Sequence, residues 1–313
     1  MPNKNTTKAK PNVLITGGSG FVGTHLIRYL QKHKLKNITV IDLTSPKVKG
    51  IKFIKSDFNK TNILASALKD KDYVFHLAAV VGVDKSRLNP KKVHRINNTN
   101  TKKFINLCAK MDVKRFIFSS SSEVYGNSKN IPFKENSKLS PVSEYGRSKI
   151  EVEQYLKKVQ NKFKKGIGIV RFFNAYGPGQ RKDFVVSKFI DNAGSGKAIK
   201  IFGDGKQTRC FTYVNDAVEG LYRVSKYNKT RYEIFNIGSN QEHTINELAK
   251  IVLKNIPDTK SKVLYIKYGN GQRNYRLEIK RRVPAVDKAF KLLGFKAKTT
   301  LKRGVKQIIE DLS

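Results

Sequence analysis

Thr16-Gly17-Gly18-Ser19-Gly20-Phe21-Val22-Gly23 is the stretch that decides the fold. It directly follows a short apolar run, Val13–Thr16, and opens a segment in which Val22, Leu26, Ile27 and Leu30 recur at helical spacing. Gly17, Gly20 and Gly23 let the chain turn tightly and bring backbone N–H groups close to a pyrophosphate. The N-terminus of the following helix then faces the phosphate charge. A glycine-rich loop alone is weak support. Here the strand before it and the helix after it agree, as does an acid, Asp42, closing the next run Ile38-Thr39-Val40-Ile41-Asp42. A carboxylate there can accept the ribose hydroxyls of NAD and would repel the extra phosphate of NADP. No arginine follows Asp42 closely, although Lys47 is near, so NAD is the expected cofactor.

Working outward, short β-branched runs alternate with longer amphipathic stretches, which is the pattern of βαβ units and a parallel sheet. Strands are expected at Val13–Thr16, Ile38–Leu43, Ile51–Lys55, Tyr73–Leu77, Arg115–Ser119 and Ile167–Phe172. Helices are expected at 89–110, 143–163, 216–226 and 244–254. After about Asn174 the alternation weakens and glycine-rich turns appear at 176–179, 194–196 and 203–205. The reading is an α/β chain: a Rossmann doubly wound parallel sheet with a smaller C-terminal substrate-binding lobe. Residues 1–10 form a polar tail, and 11–173 the NAD-binding domain, to which strands near 210–238 return. Residues 174–209 and 239–313 form the smaller lobe.

Composition narrows the function classes. At 313 residues, 39% hydrophobic and 10% aromatic, the chain can bury a large core. No run approaches the roughly 18 apolar residues that span a bilayer. The lysine-rich start lacks an apolar segment, so it does not read as a secretory signal. Cys108 and Cys210 are far apart and the histidines (25, 33, 76, 94, 243) form no ligand-like pair, so neither a disulfide nor a metal is expected. A cytoplasmic location is the simplest expectation. The net charge of +39 raises the prospect of a nucleic-acid partner. The lysines are spread evenly instead of clustering, which favours a generally lysine-rich surface and makes nucleic acid an unlikely partner.

Tyr145-Gly146-Arg147-Ser148-Lys149 places a tyrosine and a lysine four apart, on one helical face. A nearby ammonium favours tyrosinate and would lower its pKa from about 10 toward that of a usable base. Tyr125–Lys129 and Tyr222–Lys226 share the spacing. Tyr125 leads into a Gly126-Asn127 turn, and Tyr222 comes too late in the chain, so Tyr145 is the candidate.

With these motifs in order, the sequence resembles the extended short-chain dehydrogenase/reductase family of nucleotide-sugar epimerases, dehydratases and decarboxylases. The likeness runs from about Asn12 to Leu312 through Thr16–Gly23, Ser56-Asp57-Phe58, His76-Leu77-Ala78-Ala79, Asn97, Ser119–Gly126, Tyr145–Lys149, Arg171–Gly179 and Gly203–Phe211. The resemblance implies cofactor contacts from Phe21, Val22, Asp57, Phe58, Leu77, Ala78, Ala79, Asn97, Ser119, Phe172 and Lys149. It implies that Tyr145 takes the O4 proton of the sugar while Ser121 hydrogen-bonds O4. Glu123 would be a further acid or base, as in the family's dehydratases and decarboxylases. Substrate contacts are implied for Ser121, Ser122, Glu123, Tyr145, Asn174, Val185, Gln207, Arg209 and Arg282, the alternative for each arginine being a surface position.

The segment before Tyr145, Ser140-Pro141-Val142-Ser143-Glu144, looks epimerase-like, whereas 183–190 and Arg282-Val283-Pro284 look decarboxylase-like. The resulting expectation is oxidation at C4 of a nucleotide sugar, UDP favoured. A UDP-sugar 4-epimerase leads, with a 4,6-dehydratase or a UDP-glucuronate decarboxylase as alternatives. The rival from another class is a non-catalytic NAD- or RNA-binding Rossmann protein. A simple NAD-dependent reductase is disfavoured by the phosphate-binding pattern of the second lobe. The resemblance also implies a homodimer.

Overall fold

The computed structural model describes residues 10–128, 130–267 and 279–312. Most of the N-terminal tail expected at 1–10, and part of the expected C-terminal lobe, therefore lie outside the described residues.

Seven strands form one parallel sheet: β1 (Val13–Thr16), β2 (Ile38–Asp42), β3 (Lys52–Lys55), β4 (Tyr73–His76), β5 (Arg115–Ser121), β6 (Ile167–Phe172) and β11 (Tyr232–Ile237). Their order is β11-β6-β5-β4-β1-β2-β3. The chain reverses direction across the sheet between β1 and β4, where open α/β sheets bind ligands beyond their strand ends. Alternation along each strand explains why both faces are covered. Leu14, Ile41, Val74, Phe116 and Ile169 point into one core, and their neighbours Ile15, Val40, Phe75, Ile117 and Val170 into the other.

One face carries α1 (Phe21–Lys32) and α8 (Val214–Lys226), and the other carries α5 (Thr101–Lys110) and α6 (Glu144–Val159). α2 (Thr61–Leu68) joins the second face through Leu64, Ala67 and Leu68. The expected helix at 89–110 is composite: α4 (Pro90–His94) follows α3 (Val83–Leu88) and passes through a π-helical turn, Arg95–Asn100, into α5. β5 is longer than its expected end at Ser119, because Ser120 and Ser121 continue to pair with Arg171 and Phe172 of β6.

Beyond β6 lies a second core, built on α7 (Val185–Gly194), α9 (Ile245–Lys254) and α11 (Leu301–Glu310). Pairs of short strands accompany it: β7 (Ala175–Tyr176) with β10 (Thr212–Tyr213), β8 (Ile199–Phe202) with β13 (Val263–Ile266), and β9 (Thr208–Cys210) with β12 (Glu242–Thr244). One segment departs from the expected division. α10 (Asp287–Leu293) was read into the smaller lobe, yet Ala289 and Phe295 pack into the sheet-side core with Leu221, Phe235 and Ile237. The reason is a long-range contact: Arg223 of α8 holds the Leu293 carbonyl at 2.8 Å.

Candidate active site

A cleft of about 1790 Å³ runs along the carboxyl ends of β1, β2, β4, β5 and β6 and continues between the sheet and the second core. Of the site residues expected from sequence, all but Asn97 line it.

At its first end the glycine loop is packed too closely for a side chain at Gly17, Gly18 or Gly23, while Gly20 is less tightly held. Gly17 has φ +75°, and a Cβ there would stand 2.6 Å from the Ala78 nitrogen. A Cβ on Gly23 would stand 2.3 Å from the Gly17 carbonyl oxygen. Gly18, not singled out from sequence, is equally constrained, since its Cβ would meet Val40 at 2.5 Å. α1 starts at Gly20 with no side-chain cap, leaving its first N–H groups to a ligand. Asp42 is oriented toward this end: its carboxylate accepts from the Ser19 N–H (3.0 Å) and the Leu43 N–H (2.7 Å). Phe21, Val22, Asp57, Phe58, Leu77 and Ala79 complete the wall. A cradle that excludes Cβ atoms, an uncapped helix N-terminus and an acid at the end of β2 together fit the dinucleotide NAD.

Asn97 is placed differently from expectation. The π-helical turn presents its side-chain amide to the Val80 N–H (2.8 Å) and carbonyl (3.0 Å). Its observed contact is thus with the loop after β4, which lines the cleft. Beneath that loop, His76 is fully buried between the hydroxyls of Thr16 (2.7 Å) and Thr101 (3.1 Å). Burial, reinforced by the Lys149 ammonium, pulls its pKa down to about 3.

The reactive groups sit where β5 meets α6. Ser143 caps α6 by accepting from the Gly146 N–H (3.1 Å), and Ser86 of α3 accepts from the Tyr145 N–H (2.9 Å). Gly146 is required here, because a Cβ would stand 2.8 Å from the Glu123 carbonyl oxygen. The Ser121 hydroxyl lies beside the Tyr145 phenol, both lining the cleft. Lys149 donates to the Ser119 carbonyl (2.7 Å), with its Nζ 5.6 Å from the Tyr145 ring centre. Ser119 and Phe172 line the cleft beside them.

One expectation is corrected. The ammonium is not what sets the Tyr145 pKa; burial raises it, the Ser121 hydroxyl opposes that, and the Glu123 charge adds to it. Burial also pulls Lys149 down to about 7, against the attraction of Glu153. The two competing tyrosines are structural. Tyr125 is buried and donates to Asn236 (2.6 Å), leading into a turn with Gly126 at φ +54°; Tyr222 lies on α8, away from the cleft.

At the far end, Arg282 pairs with Glu123 at 2.7 Å, and their side chains are 8% and 15% exposed. A surface position for Arg282 is therefore excluded. Its segment is anchored by Phe133, which donates its N–H to Val283 and accepts from the Ala285 N–H, each at 2.8 Å. Glu123 Oε2 and Arg282 Nε are buried with no hydrogen-bond partner among the described residues. Gln207 donates to the Phe202 carbonyl (3.2 Å) and Arg209 to the Thr208 carbonyl (2.7 Å). Asn174, at φ +37°, donates to the Cys210 carbonyl (3.0 Å), while Val185 opens α7. Ser122 is buried beside Glu123.

The cleft also gathers Arg87, Arg181, Lys188 and Lys200, which were not expected. They come from four separate segments, and in a chain this rich in lysine nothing local distinguishes them. Among the described residues there is no cluster of three potential metal ligands, and no helix is long and apolar enough to cross a membrane.

Comparison with known proteins decides the family. The profile described as the NAD dependent epimerase/dehydratase family matches residues 13–238. This chain belongs to that family. Similar members of known sequence include a putative UDP-glucose 4-epimerase of Methanocaldococcus jannaschii, 32% identical over 95% of this chain and 97% of that one. A UDP-N-acetyl-alpha-D-glucosaminuronate decarboxylase of Bacillus cytotoxicus is 33% identical over 96% and 97%. Among solved structures, MoeE5 in complex with UDP-glucose and NAD superposes with a TM-score of 0.88 at 30% identity, over 96% of this chain and all of that one. MoeE5 has also been solved with UDP-glucuronic acid and NAD, with a TM-score of 0.87. The epimerase/dehydratase family is thus an extended short-chain dehydrogenase family with a Rossmann fold, its cofactor is NAD, and its relatives act on nucleotide sugars in more than one way.

Proposed function

We propose that this protein is a UDP-sugar 4-epimerase that works by transient oxidation at C4. The observation that carries the reading is the Ser121–Tyr145–Lys149 cluster, set midway along one continuous cleft. A dinucleotide cradle lies on one side of it and a cationic pocket on the other. NAD, which the Gly17–Gly23 loop and Asp42 would hold, would supply a hydride acceptor for C4 and a donor to the opposite face of the 4-keto sugar. Tyr145 accepts the O4 proton as the bond to C4 is oxidised, and Ser121 orients that transfer. A protonated Lys149 would favour the tyrosinate over the buried phenol. On return, Tyr145 gives the proton back to O4. Arg209 and Arg282, with planar forks suited to phosphate and carboxylate, hold the nucleotide sugar.

A second reading is favoured by one observation, the buried Glu123–Arg282 pair. A neutral hexose needs no charge pair at that end. A sugar carrying a C6 carboxylate offers a partner for Arg282, and a 4-keto uronate loses carbon dioxide readily. The substrate on this reading is a UDP-uronate, processed by epimerisation or decarboxylation.

Proton NMR of the protein incubated separately with UDP-glucose, UDP-N-acetylglucosamine, UDP-glucuronate, dTDP-glucose and GDP-mannose separates the two. Inversion at H4 of a neutral sugar supports the first, and change of UDP-glucuronate alone, as an H4 inversion or a new pentose signal, supports the second. A C6 methyl from dTDP-glucose or GDP-mannose would overturn both in favour of dehydration.

A further inference from the structure

We propose that Glu153, clamped to Arg171, is the positioning residue that fixes Lys149 and Tyr145 against β5. This rests on the catalytic reading above.

Tyr145, Lys149 and Glu153 lie four apart along α6 and share one face. Each faces a serine at the end of β5. Ser121 lies beside the Tyr145 phenol, the Ser119 carbonyl accepts from Lys149 at 2.7 Å, and the Ser120 hydroxyl donates to Glu153 at 2.5 Å. Lys149 is held on β5 by one hydrogen bond. Glu153 is held by several. Arg171 of β6 grips both carboxylate oxygens of Glu153, at 3.0 and 2.6 Å, and the two side chains are 2% and 4% exposed. Arg171 is itself fixed through Nη1 by the Tyr125 hydroxyl and the Glu135 carbonyl, both at 2.9 Å. Tyr125 in turn donates to Asn236 of β11.

A chain of hydrogen bonds therefore ties α6 to three adjacent strands immediately behind the reactive groups. A buried ion pair contributes little net stability compared with an apolar pair of the same size. What it contributes here is a fixed register between α6 and β5, together with a negative charge near Lys149. Around that ammonium stand Tyr145 and Glu153 on its own helix, neutral His76 on β4, the Phe118 ring of β5 and, through Glu153, Arg171 on β6. Burial pulls Lys149 down to about 7, and the Glu153 charge is what opposes a further fall.

The test compares wild type with Glu153→Gln and with the double variant Glu153→Leu/Arg171→Met, which removes both charges of the ion pair together. Expected are a fall in kcat of roughly 10–100-fold with little change in the sugar KM, and an alkaline limb of the kcat profile displaced to lower pH. NAD affinity, measured calorimetrically against pH, should weaken at a correspondingly lower pH. A purely structural role would lower Tm and leave both pH profiles in place. Folded variants with wild-type kcat and pH profiles would overturn the inference while leaving the C4 mechanism standing. Should wild type transform no donor, the mechanism fails instead, and the pH dependence of NAD binding still decides the role of Glu153.

Discussion

At the residue scale, the account places the chemistry on one phenol. Replacing Tyr145 by Phe removes the proton acceptor and leaves the cradle around Gly17 and Asp42 untouched. Turnover should fall by about 10²–10⁴-fold, while NAD binding, followed by calorimetry, should stay within a few-fold of wild type. The reactive residues were readable because local pattern marks them: a tyrosine and lysine at helical spacing after a serine-rich strand end. Glu153 was equally readable, one helical turn beyond Lys149, but a lone glutamate on an amphipathic helix looks like a solvated one until Arg171 is brought against it by the sheet. The pKa balance was not readable. The sequence suggests an ammonium beside a phenol, whereas the depth of burial, which only the fold sets, reverses the sign of the shift at Tyr145.

At the element scale, β1, β4 and the glycine loop form one unit tied by His76. The folded protein keeps this imidazole neutral down to about pH 3, while the unfolded chain takes up a proton near pH 6.5. The stabilising contribution is therefore complete above pH 6.5 and is lost as pH falls through the window from 6.5 toward 3, at up to about 1.4 kcal/mol per pH unit. Thermal melts at pH 7 and pH 5 should show a larger drop in Tm for wild type than for His76→Gln. Equal drops would mean that the imidazole is not held neutral. The strands of the sheet were legible because parallel strands buried on both faces leave short, continuous apolar runs. The break in the helix at 89–110 was not, since the π-helical turn carries Asn97 to Val80, seventeen residues away, where it makes two hydrogen bonds. The packing of Ala289 of α10 on the sheet-side core is likewise not legible locally. Its partners on α8 and β11 are more than fifty residues away.

At the scale of the whole molecule, the net charge of +39 surrounds a cleft that takes an anionic ligand. A positive field raises the rate at which a nucleotide sugar arrives, and salt screens it. kcat/KM should fall several-fold between 20 and 300 mM salt, with kcat changing little; a salt-independent kcat/KM would assign the charge no part in substrate capture. The resemblance implies a homodimer, which we propose forms through α5 and α6. Light scattering in the same salt series tests it, because like charges oppose association most at low ionic strength.

The central claim is that catalysis proceeds through oxidation at C4 and return of the same hydrogen. The measurement that tests it most directly follows UDP-glucose deuterated at C4 through turnover in ordinary water, by NMR and mass spectrometry. The account predicts UDP-galactose that still carries its deuterium at C4, and no product from Tyr145→Phe. Deuterium lost to solvent, or a Tyr145→Phe enzyme that works as well as wild type, would contradict it.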